Sequence, residues 1–262
     1  MTEYQNWLLS EEGHIATLTL NRPEADNNLT PETLYELSEI SKTLDRQRDI
    51  WAVIVQGEGR HFSTGIDIEM LKERFNKSEQ ANRSFLLGLQ ECMDDFEQLE
   101  KPTIAKLHGF CIGGGLILAL CCDFRIASQR TVFSLPEVKI GIGVIMGTQR
   151  VTRAVGAAAS KEMILLGKRF SAKTAYEYGL VHEIVPPDKL DARTAALAGR
   201  FMKLPPRTVG ISKRIINSGQ DIPLRDSQDL EIDAQMELLD SPDMREALAS
   251  YIEKREPKFA GK

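Results

Sequence analysis

No segment of this sequence is apolar for long enough to cross a lipid bilayer. The longest apolar run, from Leu116 to Cys122, is far shorter than the roughly 20 residues of a membrane-spanning helix. Residues 1–5 have neither the basic start nor the apolar stretch of a secretory signal peptide. We therefore expect a cytoplasmic protein that has no membrane among its partners.

The sequence also lacks a strong excess of one charge and any clear metal-binding pattern. Its 33 basic and 38 acidic residues give a net charge of −5, which gives no reason to expect nucleic acid as a partner. The four cysteines form no C-x-x-C pair, and Cys121 and Cys122 are adjacent, a poor spacing for a disulfide or a tetrahedral metal site. We predict buried, reduced thiols and no metal ligands.

Motifs of several common enzyme classes are missing. The chain contains no G-x-S-x-G sequence and no Walker A sequence, which argues against a serine hydrolase and an NTPase. Gly141, Gly143 and Gly147 lack the spacing of a dinucleotide-binding loop, and no clear strand precedes them.

The first half of the chain alternates strand-like and helix-like segments. Strands are predicted from His14 to Leu20, from Trp51 to Gln56, from Thr103 to Leu107 and from Asp123 to Ala127. Thr30 followed by Pro31 predicts the start of one helix. A longer helix is predicted from Ser78 to Leu99, where Pro102 stops it. This order favours a mixed α/β core. We predict one core over residues 1–195 and a helical region over residues 196–262.

Two glycine-containing turns are the strongest chemical signal. They are Thr64-Gly65-Ile66-Asp67 and Gly113-Gly114-Gly115, and each follows a strand and opens a helix. Glycine lets a ligand approach bare backbone N–H groups, and a helix start favours negative charge. If the turns converge, they form an oxyanion hole in which each donor is worth roughly 3 kcal/mol in a transition state. The alternative is a pair of ordinary tight turns.

Read in order, a series of short motifs resembles the crotonase (enoyl-CoA hydratase/isomerase) superfamily. Any one motif is weak, but the ordered series covers nearly the whole chain. The matching segments are residues 21–23, 62–67, 101–105, 108–109, 113–115, 122–127, 135–139, 147–150 and 252–259.

The resemblance implies a fold and a substrate class. The fold is α/β, a ClpP-like spiral of repeated strand–strand–helix units with a C-terminal helical region that builds homotrimers, which often pair into hexamers. The substrates are acyl-CoA thioesters. Coenzyme A is then part of the substrate, and no separate cofactor is expected.

The resemblance also implies site residues. The backbone N–H groups of Thr64 and Gly114 are the expected oxyanion hole. Residues expected to contact the acyl-CoA, the first two of them at its adenine end, are Arg22, Ala25, Gly65, Ile66, Asp67 and Ile117.

Hydratases of this superfamily carry two catalytic glutamates, and this chain keeps one. Glu137 is retained, whereas Ile117 stands at the other position, and the loop from Gly141 to Gly147 is apolar and one residue shorter than usual. Hydration needs a water held between two carboxylates, whereas one glutamate can remove a proton and return it to another carbon. Apolar surroundings would raise the pKa of Glu137 and make it a better base. We predict a double-bond isomerase with Glu137 as its catalytic residue.

Two alternatives remain open at this point. One is an enoyl-CoA hydratase or another lyase of the same fold that uses a single glutamate. The other is a non-catalytic acyl-CoA-binding protein in which Glu137 only caps a turn. His61 and His108 flank the two turns and are secondary candidates for a catalytic role.

Overall fold

The computed structural model describes residues 4–262, which hold alternating strands and helices followed by a helical C-terminal part. The strands are β1 (Trp7–Glu12), β2 (Ile15–Leu20), β3 (Asn28–Leu29), β4 (Ala52–Gly57), β5 (Gly65–Ile66), β6 (Thr103–Leu107), β7 (Phe110–Ile112), β8 (Phe124–Ser128), β9 (Val132–Ser134), β10 (Arg169–Ser171) and β11 (Glu183–Val185). The α-helices are α1 (Pro31–Arg46), α2 (Glu69–Lys72), α3 (Glu79–Glu97), α4 (Gly114–Leu120), α5 (Thr148–Leu166), α6 (Ala172–Glu177), α7 (Leu190–Phe201), α8 (Pro206–Gly219), α9 (Leu224–Leu238) and α10 (Pro242–Glu253).

The strands form a main sheet and two smaller ones. The main sheet has the order β1-β2-β4-β6-β8-β11, in which β1 is antiparallel to β2 and the other neighbours are parallel. The second sheet has the order β10-β9-β7, and β3 pairs with β5 in a third. From β2 to β9, successive strands thus alternate between the main sheet and one of the smaller sheets. The predicted mixed α/β fold is confirmed.

The helix starts follow the local sequence. The Thr30 hydroxyl accepts the Thr33 N–H at 3.3 Å, and Pro31 occupies the first helical position of α1. The Ser78 hydroxyl accepts the Ala81 N–H at 3.2 Å and starts α3. Both starts agree with the prediction. The two helices pack against each other, with buried apolar residues on the facing sides.

Helix α7 belongs to the core. It packs against β4, β6 and β8, and its residues Leu190 and Ala198 lie in one buried cluster with Ile104 and Ile126. The division predicted after residue 195 therefore falls inside a helix that covers the sheet.

The last three helices, α8, α9 and α10, follow the core in the chain, and Lys213 of α8 pairs with Asp123 of the core at 2.8 Å. Helices α8 and α9 pack on each other around Ile211, Ala234 and Leu238. Many apolar side chains of these helices remain exposed, among them Ile216, Leu224, Ile232, Met236, Leu248, Tyr251 and Ile252. Among the described residues, no helix combines the length and the apolar character that crossing a membrane would require.

Candidate active site

The two glycine-containing turns converge in space. Gly65 has φ of +95°, and a Cβ atom on it would lie 2.7 Å from the Ile112 carbonyl oxygen and 3.1 Å from the Gly114 nitrogen. Only glycine fits this backbone conformation and this close approach. The end of β5 therefore lies directly against the start of α4.

Each of the three consecutive glycines makes room for a different neighbour. A Cβ atom on Gly113, which has φ of +54°, would lie 2.9 Å from Oε1 of Glu137. A Cβ atom on Gly114 would lie 3.0 Å from Cγ2 of Ile66 and 3.3 Å from its nitrogen. One on Gly115 would lie 2.6 Å from Cβ of Ser63. The glycines therefore bring the Glu137 carboxyl and the backbone of β5 to the start of α4.

Two backbone N–H groups at this junction are available to a ligand. The N–H of Gly114 is in the first turn of α4 and has no acceptor within residues 4–262. The N–H of Asp67 donates to the Leu29 carbonyl of β3 at 2.9 Å. Because neighbouring N–H groups along a strand point to opposite edges, the Ile66 N–H points away from β3, towards Gly114.

This register corrects one predicted donor. The Thr64 N–H donates to the Asp26 carbonyl at 3.2 Å, and the Thr64 hydroxyl donates to the same oxygen at 3.1 Å. Thr64 is thus engaged with the neighbouring loop and has no N–H to offer. The N–H two residues later, on Ile66, lies on the edge of β5 that faces away from β3, at the junction with Gly114.

Asn27 and Ser63 hold this geometry, and the sequence reasoning did not identify them. The fully buried Asn27 amide donates to the carbonyls of Glu58 at 2.8 Å and His61 at 2.7 Å, and the Ser63 hydroxyl donates to the Asn27 carbonyl at 2.7 Å. Asn27 has φ of +55°, a conformation that asparagine tolerates better than most residues. The adjacent residues Asn27 and Asn28 were the feature of the sequence that could have indicated this turn.

Glu137 occupies an unusual position for a carboxylate. It begins a 3₁₀ turn, Glu137–Ile140, directly after Pro136. Its Oε2 atom is buried and has no hydrogen-bond partner among the described residues. Burial raises the pKa of the Glu137 carboxyl above its usual range. Such a carboxylate is a stronger base than one in water.

An apolar cavity of about 40 Å³ adjoins Glu137. Within the part of the chain that the structure describes, Glu137 is the only ionisable side chain that lines it. Its other lining residues are Leu34, Ile66, Met70, Leu71, Leu86, Leu89, Met93, Gly114, Ile117, Ile142, Gly143, Ile145 and Met146. The cavity thus unites Ile66, Gly114, Ile117 and Glu137 from the predicted site.

Ile117 closes one side of this cavity. Its side chain is 2% exposed, and its Cδ1 atom would lie 2.0 Å from a Cβ atom on Gly147. The branched apolar side chain therefore fills the space between α4 and the loop before α5. No second carboxylate of residues 4–262 lines the cavity.

Besides Gly65, three predicted contact residues do not line the cavity. The Arg22 guanidinium donates to Oδ1 of Asn6 at 2.8 Å and to Oδ1 of Asn28 at 3.1 Å. Ala25 ends a short 3₁₀ turn, and its N–H donates to the Arg22 carbonyl at 3.0 Å. Asp67 accepts the Glu69 N–H at 3.0 Å. These contacts give Arg22 and Asp67 structural partners within the chain.

The two histidines considered beside the turns do not line the cavity either. His61 accepts the Phe110 N–H on Nδ1 at 3.1 Å and stacks on the Phe110 ring. His108 contacts the Gly59 carbonyl at 3.0 Å, and burial lowers its pKa. Both rings are occupied in holding the loops around the site.

The cysteines and the acidic residues supply no metal site within the described part of the chain. All four thiols are free and buried, and burial raises the pKa of each. Among residues 4–262, no group of three or more His, Cys, Asp or Glu side chains is arranged to hold a metal ion.

Comparison with known proteins identifies relatives over almost the full length. The family model described as enoyl-CoA hydratase/isomerase matches residues 10–262. A short-chain-enoyl-CoA hydratase of Clostridium acetobutylicum is 35% identical over 255 residues, covering 97% of each chain. An (E)-benzylidenesuccinyl-CoA hydratase of Thauera aromatica is 34% identical over 255 residues, covering 97% of this chain and 98% of its own.

Solved structures agree with this relationship. The crystal structure of an enoyl-CoA hydratase from Bacillus anthracis superimposes with a TM-score of 0.90 at 32% identity, and the match covers 98% of this chain and 100% of the other. The predicted crotonase fold is thereby confirmed. Hydratase is the more frequent name among the relatives.

Proposed function

The chain belongs to the enoyl-CoA hydratase/isomerase family, and on that basis we propose that it moves a carbon–carbon double bond within an acyl-CoA thioester. The proposed catalytic residue is Glu137, acting alone as base and then as acid. The single observation that carries this proposal is the cavity at Glu137, where, among residues 4–262, a carboxylate with one buried and unpartnered oxygen is the only ionisable lining side chain.

The thioester oxygen is proposed to lie between the N–H groups of Ile66 and Gly114. Both point into the junction of β5 and α4 and have no acceptor within the described chain. A thioester enolate carries negative charge on this oxygen, so the two donors and the start of α4 stabilise the intermediate more than the substrate.

The proton transfer then needs one carboxylate. Glu137 removes a proton from C2 of a 3-enoyl thioester, and the electron pair moves onto the thioester oxygen as a dienolate. The protonated Glu137 returns the proton to C4, the double bond forms between C2 and C3, and the thioester carbonyl is restored. The sequence of steps consumes no water and needs no cofactor besides the coenzyme A of the substrate.

The apolar surroundings support this reaction over hydration. Ile117 and Met93 line the cavity and are buried, at 2% and 1% exposure, and Ile117 has no group that could hydrogen-bond to a water beside the acyl chain. Hydration remains the second candidate, because several relatives are named as hydratases. In that case Glu137 would activate water without a second carboxylate.

A product analysis tests the proposal. The purified protein is incubated separately with 3-hexenoyl-CoA and with 2-hexenoyl-CoA, and the products are separated by chromatography. We expect the first substrate to give 2-hexenoyl-CoA and the second to give little 3-hydroxyhexanoyl-CoA. Rapid formation of the hydroxy product would favour the hydratase, and binding without turnover would favour an acyl-CoA-binding protein.

A further inference from the structure

Arg150 connects two walls of the apolar cavity at Glu137, which is the proposed acyl cavity. Its Nη1 donates to the Met146 carbonyl at 2.5 Å, and its Nε and Nη2 donate to Oε2 of Glu97 at 2.9 and 2.7 Å. Nη2 also pairs with Asp94. One half-buried guanidinium thus ties the loop before α5 to helix α3, using all three of its nitrogens.

Met146 is held in an unfavourable backbone conformation. Its φ of +64° is in the left-handed region, which is unfavourable for a residue other than glycine. The Met146 side chain lines the acyl cavity. Arg150 donates its hydrogen bond to the carbonyl of Met146 itself. The guanidinium therefore holds the backbone at this position, and that backbone sets the direction of the Met146 side chain.

Helix α3 carries the other wall. Leu86, Leu89 and Met93 line the cavity, and Asp94 and Glu97 of the same helix bind Arg150. The guanidinium therefore fixes the distance between this wall of α3 and the Met146 wall.

We propose that Arg150 is a positioning residue that limits the size of the acyl group by holding Met146 and α3 in place. The inference rests on the proposed function in one respect, namely that this cavity receives the acyl chain. Lysine cannot replace Arg150, because a single ammonium group does not span the Met146 carbonyl and two carboxylates in the planar arrangement of a guanidinium. Relaxing these contacts lets the cavity widen.

Binding of saturated acyl-CoA thioesters tests the proposal without depending on turnover. The dissociation constants of butyryl-CoA and octanoyl-CoA are measured by calorimetry for wild type and for Arg150→Lys. In Arg150→Lys we expect the dissociation constant of octanoyl-CoA to fall about fivefold relative to that of butyryl-CoA. An effect of this size is ordinary for residues coupled through direct contacts. The control is Arg214→Lys, because Arg214 also bridges two carboxylates, those of Glu100 and Glu237, and does not line the cavity. Its ratio should remain that of wild type.

A double-mutant cycle separates positioning from general destabilisation. Met146→Gly removes the backbone strain and the side chain that Arg150 positions. In that background, Arg150→Lys should shift the ratio by less than about twofold. Equal shifts in both backgrounds, or an unchanged ratio in Arg150→Lys with only a lower unfolding temperature, would overturn the proposal. If wild type binds neither thioester, both this inference and the proposed function fail; if it binds both and only the ratio is unmoved, only this inference fails.

Discussion

At the scale of single residues, the surroundings of Glu137 explain its proposed role. The carboxyl lies against the backbone of Gly113, one of its oxygens is buried without a partner, and burial raises its pKa. The sequence pointed to Glu137 through the Pro136-Glu137 motif, which matches one of the two catalytic glutamates of the crotonase superfamily. It did not point to the Ile66 N–H as a candidate donor, since the direction of an N–H depends on the pairing of β3 with β5.

The raised pKa predicts a pH-dependent effect of Glu137→Gln on stability. The folded protein holds the Glu137 proton more tightly than the unfolded chain, where glutamate titrates near pH 4.3. The stability of wild type therefore falls as pH rises from about 4.3 to the raised folded pKa. We therefore expect the free energy of unfolding of the variant, relative to that of wild type, to be higher at pH 7 than at pH 4. Urea denaturation at the two pH values measures this difference. A difference that is the same at both pH values would contradict the raised pKa.

The same variant should lose activity. Glutamine keeps the size of the side chain but is not a base, so turnover of an accepted enoyl-CoA should fall by roughly 10² to 10⁴. The dissociation constant for a saturated acyl-CoA should change little. Full activity in Glu137→Gln would assign the base to another residue.

At the scale of elements, local signals predicted the helices well and the short strands poorly. The caps at Thr30 and Ser78 are local interactions, and the structure has both. Strand β1 was missed because only Trp7 in it is buried, so its sequence has no alternating pattern. Strands β3, β5 and β10 have two or three residues each, and their pairing comes from distant parts of the chain.

The contact between β5 and α4 predicts the effect of Gly114→Val. A valine Cβ would lie 3.0 Å from Cγ2 of Ile66, so the branched side chain must displace β5 and separate the two N–H donors. Loss of one such donor costs roughly 10² to 10³ in turnover. The control is Gly88→Ala in α3, where an added Cβ has no atom within 4 Å. If folded Gly114→Val kept near wild-type turnover, the Gly114 N–H would not be a donor of the oxyanion hole.

At the scale of the whole molecule, the exposed apolar residues of the last helices predict self-association. Ile232 and Met236 are 61% and 55% exposed on one face of α9, and the separation of such a surface from water is favourable. We expect light scattering to report a trimer or hexamer at micromolar concentration. Replacing both residues with lysine should dissociate it, whereas Thr43→Lys with Gln80→Lys, exposed on α1 and α3, should not. A monomeric wild type would contradict this expectation.

The most direct test of the account follows the proton itself. The protein is mixed in excess with 3-hexenoyl-CoA that carries deuterium at C2, and the product of a single turnover is examined by mass spectrometry and NMR. If Glu137 alone removes and returns the proton within an apolar cavity, part of the deuterium should appear at C4 of 2-hexenoyl-CoA. A 2-hexenoyl-CoA product that carries no deuterium at C4, or a 3-hydroxyacyl-CoA product, would contradict the single-glutamate isomerase.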